Sequence, residues 1–214
     1  MTQHRSANGH KSLLARPAEN MSATKERGTE MTRTKFIRLS GWGMVLAAIS
    51  LLLTFLSDLG TMPFLFAILL MTLGLLGLRA RYGEQAGNTA KLALGAGVLG
   101  GAAGIVSNLL MTIGYENGRS LMNFSMAVMF AGLFVFGLVA LRENPMPRGN
   151  GLPALAGFWF PFIVMGANVY HQVTGHWLEV PGWLSFTIFS VMGFFLASLG
   201  YVLQSDAPPE QAAA

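Results

Sequence analysis

The chain contains no cysteine among its 214 residues. That excludes disulfide cross-links, thiolate metal centres and cysteine nucleophiles, and it leaves no thiol to report on the redox compartment. Charge is nearly as scarce. Only 11% of the residues are Asp, Glu, Lys or Arg, against about 25% in an ordinary soluble domain. So few charges cannot cover a folded surface against water. The sequence also lacks a Walker A loop, a His-Glu-x-x-His motif, a Gly-x-Ser-x-Gly elbow and any basic–aromatic patch. No cofactor and no nucleic-acid partner is therefore expected.

What remains is apolar. Hydrophobic residues make up 52% of the chain, with 26 Gly, 15 Phe and 13 Met, and the mean hydropathy is +0.49. Six long apolar runs follow one another: Gly41–Leu59, Met62–Leu78, Leu92–Ile113, Leu121–Leu141, Leu152–Val169 and Gly182–Leu203. Each holds about 17 to 22 residues, enough at 1.5 Å per residue to cross a hydrocarbon core. None carries Lys, Arg, Glu or His in its middle. The runs are continuous rather than alternating, so helices and not barrel strands are predicted. The expected fold class is all-α, a bundle of six transmembrane helices with the lipid bilayer as its solvent.

The chain divides accordingly into a disordered tail (1–34), the membrane domain (35–204) and a short disordered exit (205–214). Residues Met1 to Thr34 lack an apolar stripe and cannot offset the entropy of ordering. No small-x-small site follows the first run, which reads as an uncleaved span, and Met21 and Met31 offer alternative starts. Of the 14 basic residues, eight precede span 1, three lie between spans 2 and 3, and two between spans 4 and 5. Only Arg119 falls on the other side. The positive-inside rule then predicts cytoplasmic N- and C-termini in a bacterial plasma membrane, and basic loops facing anionic lipid account for the pI of 9.8.

Span 3 contains Gly95-Ala96-Gly97-Val98-Leu99-Gly100, a formal dinucleotide fingerprint. A pyrophosphate needs a preceding strand and an accessible helix start, and here the glycines lie within an apolar run. Small residues every four positions (Ala93, Gly97, Gly101; Gly100, Gly104) point instead to close helix packing. Span 3 is expected to be the central helix of the bundle, with an oligomer seam, between identical or different chains, as the alternative. Spans 2 and 4 end alike, in Leu73-Gly74-Leu75…Arg79 and Phe136-Gly137-Leu138…Arg142. A parallel repeat would give this, and so would any pair of helix ends pointing the same way. Pro161 is expected to kink span 5.

Polar residues concentrate on one side of the bundle. Asp58, Asn108, Asn123, Asn168, Tyr170 and His171 all fall in the half expected to face outward. Convergent polar groups in an apolar bundle hold ligands, so these six are the candidate binding residues around an outward cavity between spans 1, 3, 4 and 5. The competing reading is that Ser and Thr bond their own helices and Asn is hydrated at the interface. His171 and His176 are five apart with Gly175 between them, a poor spacing for a metal, and none is expected. Three functions follow: a small transporter or ligand-binding protein, a non-catalytic membrane component, and, ranked last, an outer-face enzyme. The spans hold no Glu and only the terminal Asp58, which disfavours proton coupling and favours an apolar or passive cargo.

Overall fold

A computed structural model describes residues 16–56, 62–176 and 181–205, with side chains from Thr32 onward except those at 55, 168 and 172. It consists of six helices: α1 (Arg16–Leu56), α2 (Met62–Tyr82), α3 (Gly87–Thr112), α4 (Gly118–Glu143), α5 (Leu152–Thr174) and α6 (Gly182–Ser205). No strand occurs among the described residues. All six helices are long and apolar enough to cross a membrane. Asp58 and the tails at 1–15 and 206–214 lie outside the described residues.

The helices coincide with the six predicted runs, but α1 begins much earlier than span 1. It runs back to Arg16, through residues expected to be disordered. Pro17 stands at the start of that helix, where proline is compatible with helical backbone, and no proline follows before Pro63. Good helix formers such as Ala18, Glu19, Met21, Lys25 and Glu26 carry the helix on. Helix formation here does not require the apolar stripe whose absence suggested disorder.

Packing closes a ring in chain order. α1 packs on α2 and α6, α3 on α2 and α4, and α5 on α4 and α6, while α2 also touches α6 across the ring. The expectation of a central span 3 is therefore corrected. α3 is a ring member with a free face on which Leu92, Leu99 and Val106 are exposed. Its glycines occupy two faces because it has two neighbours: Gly101 meets Thr72 of α2, and Gly100 meets α4.

The connections α2–α3 and α4–α5 share one end of the ring with Arg33, Arg79, Lys91 and Arg142, here termed the basic end. The α4–α5 connection is a built loop. Asn144 turns the chain in the left-handed region (φ 48°). The Asn150 amide nitrogen donates to the carbonyl of Met146 at 2.9 Å, and its Oδ1 accepts from the Met146 N–H at 3.1 Å. The α2–α3 connection has no such clasp among the described residues, so the two halves of the apparent repeat turn by different means.

Candidate functional site

Glycine sets how closely α3 and α4, α1 and α6, and α4 and α5 approach. A Cβ at Gly100 would sit 2.6 Å from the Met129 backbone nitrogen, and one at Gly132 would sit 2.7 Å from that of Gly97. Backbone-on-backbone contact of this kind needs residues without side chains. Gly41 and Gly200 join α1 to α6 in the same way, and Gly137 and Gly157 join α4 to α5. An aromatic cluster extends the α4–α5 contact: Phe130 stacks on Phe160 at 5.2 Å, and Phe134 meets Phe158 and Phe162 at 5.9 and 6.0 Å.

This packing stops at Pro161. Pro161 is buried, yet every described side chain of α5 from Phe162 to Thr174 is at least partly exposed. A residue at Gly166 would meet nothing within 4 Å. The partner helix repeats the pattern in reverse: Gly182 to Val191 of α6 is exposed or half-exposed at every position, and burial begins at Met192. α5 and α6 make the least extensive pairing of the ring. α5 continues as one helix through Pro161, but proline donates no N–H to the carbonyl one turn earlier, the position where helices most readily bend. The far halves of α5 and α6 are thus less fully buried than the rest of the bundle, although Phe162 still meets Phe134 and Phe189 still packs against the core.

The chemistry of this opening is mild. Thr174, Thr187 and Ser190 donate their hydroxyl protons to the carbonyls of Tyr170, Trp183 and Phe186 at 2.8, 2.8 and 2.7 Å. Their oxygens remain acceptors only. No Asp, Glu, Lys or Arg occurs in Phe162–Gly175 or Gly182–Val191. The other polar side chains described there are those of Tyr170, which is 41% exposed, and of His171, which is half-buried with its Nδ1 turned away from solvent.

The other candidate residues are elsewhere. Asn108 is buried in α3 at 3% exposure, beside Ser107, whose hydroxyl lies 3.5 Å from that of Ser125 in α4. Both serines already donate to the carbonyl four residues back. Asn123 is exposed, on a different face of α4 from buried Ser125. Asn168 belongs to the open half of α5, and its side chain is not described. The structure therefore places Tyr170 and His171, with the backbone of Asn168, along the open half of α5, and places Asn108 in a closed seam.

Two concavities lie towards the basic end. One, of about 420 Å³, is an apolar groove between α3 and α4 lined by Leu92, Ala96, Val128, Ala131 and Val135. The other, of about 540 Å³, lies between α1, α2 and α3 and gathers Arg33, Arg79, Lys91 and Glu84. Neither includes a candidate residue named from the sequence. Basic residues in the sequence were read for sidedness alone, and that hid the second concavity, because its members lie on three separate helices. No family model, curated protein or solved structure matches the chain.

Proposed function

We propose that this is a polytopic membrane protein that binds, and passes or senses, a neutral and mainly apolar small molecule. The ligand enters at the far end, between the outer halves of α5 and α6. The observation that carries this reading is the loss of burial beyond Pro161 in α5 and before Met192 in α6. Two membrane-length helices whose outer halves hold no fully buried side chain among the described residues leave surface on which a guest molecule can lie. The absence of ionisable carboxylates along those segments argues against proton coupling and against a charged cargo. Tyr170 and His171 supply the few polar contacts that orient a ligand. The termini lie in the cytoplasm in this reading, so the cleft faces outward.

Gly166 provides the test. A Cβ there meets nothing within 4 Å, so Gly166→Phe is expected to retain the fold while adding a ring to the open half of α5. A neutral apolar compound that raises the melting midpoint of the native protein is expected to lose that effect in Gly166→Phe. Retention of the full shift would remove the cleft from the mechanism. A second reading, a partner subunit covering the same surface, is favoured by the large exposed side chains Met165, Val173 and Trp183. Under it, Gly166→Phe would break up a larger complex and no compound would bind.

A further inference from the structure

We propose a second binding site, at the opposite end from the cleft: the concavity between α1, α2 and α3 holds the phosphate headgroup of an anionic phospholipid. Arg33, Arg79 and Lys91 face a single carboxylate there, that of Glu84. Arg33 is held in place by donating to the Ala80 carbonyl at 2.5 Å, which uses part of its donor fork and leaves the rest for an anion. Arg79 and Lys91 have neither an ion-pair nor a hydrogen-bond partner among the described residues, and the described lining carries three cations against one carboxylate.

The setting of Lys91 strengthens the case. It is half-buried in the opening turns of α3, whose first turn contains no acidic residue and whose Ala86 N-cap makes no side-chain capping bond. A cation near a helix N-terminus opposes the helix dipole. A bound anion beside Lys91, which lines the concavity, offsets that.

Two features select a lipid over a free phosphate. The walls of the concavity include Phe36 and Leu76, an apolar surface suited to the glycerol and upper acyl chain. The site also lies at Arg79 and Ala80, near the end of a helix long enough to span a membrane (Met62–Tyr82), where headgroups reside. Basic pockets between helices at that level bind anionic headgroups. The headgroup would tie three helices together through one cation from each.

The experiment uses the full chain in neutral detergent. Phosphatidylglycerol and phosphatidylcholine of identical acyl chains are added, and bound lipid and the melting midpoint are measured. Phosphatidylglycerol is expected to bind and raise the midpoint; phosphatidylcholine is not. Arg79→Gln/Lys91→Gln should weaken phosphatidylglycerol binding roughly thirtyfold, about fivefold for each charge. Arg142→Gln, at the same end but in the last turn of α4, should bind as the native chain does. Equal binding of the two lipids by the native protein would overturn the proposal, and that comparison needs no variant to fold. Equal loss in Arg142→Gln would reduce the effect to general surface charge and overturn it too. An equal midpoint shift from inorganic phosphate would make the ligand a soluble anion and overturn the lipid assignment.

Discussion

Helix pairs α3–α4 and α5–α6 both carry glycines, yet they meet in opposite ways. In the first, Gly97, Gly100 and Gly132 bring two backbones into direct contact along the basic half, and Ser107 and Ser125 continue the seam towards the far end. In the second, Gly166 and Gly182 have no neighbour within 4 Å, and Gly193, farther along α6, meets Ala48 of α1 at ordinary distances of 3.6 to 3.9 Å. Glycine by itself therefore does not specify close packing in a membrane bundle. It does so where the facing helix presents a small residue or bare backbone, as at Gly132, or a side chain that fills the space, as Met44 does at Gly74, because dispersion contact between helices must exceed what lipid offers.

Substitutions that add a single side chain probe this contrast most sharply. Gly132→Val places carbon where the Ala93 carbonyl and the Gly97 backbone already sit, and neither can move without parting the helices. The expected cost is about 3 kcal/mol or more, read as a collapse of the thermal unfolding midpoint in detergent. A mild effect would mean the α3–α4 seam is looser than described.

Smaller effects mark the open region. Gly166→Ala should stabilise the protein by about 0.5–1 kcal/mol, since alanine improves helix propensity where nothing obstructs it. Destabilisation would show that a neighbour does pack there. Smallest of all is Ser125→Ala, expected to cost no more than about 0.6 kcal/mol. Its 3.5 Å contact with Ser107 is at the limit of a hydrogen bond, and both hydroxyls are already committed within their own helices. A large loss would make that polar pair a true clamp.

The six helices were legible in the sequence because length and continuous apolarity are one-dimensional properties. The start of α1 was not, since Ala18 to Met31 forms a helix by local propensity without an apolar face to announce it. Nor was the ring: small residues every four positions show that α3 packs closely but not on how many partners. The candidate site divides along the same line. Placing Asn108 and His171 in the same half of the bundle needs only their distance from a span end. Deciding that Asn108 is sealed while Tyr170 is exposed needs the neighbours, which only the fold supplies. Pro161 was legible as a weak point in α5, but its position at the boundary between packed and open halves was not. The cluster of Arg33, Arg79 and Lys91 was hidden by treating basic residues as a count.

Water access to the far halves of α5 and α6 is the most direct test of the account. Because the native chain has no cysteine, single cysteines can be placed through Phe162–Val173 and Trp183–Val191, with Leu99→Cys on the free face of α3 as the lipid-facing reference. The protein is reconstituted in vesicles and treated with a membrane-impermeant thiol reagent. A subset of α5 and α6 positions, recurring at helical spacing, should react far faster than Leu99→Cys. Uniform reactivity as low as that of Leu99→Cys would mean that lipid or protein fills the space, and no cleft opens there.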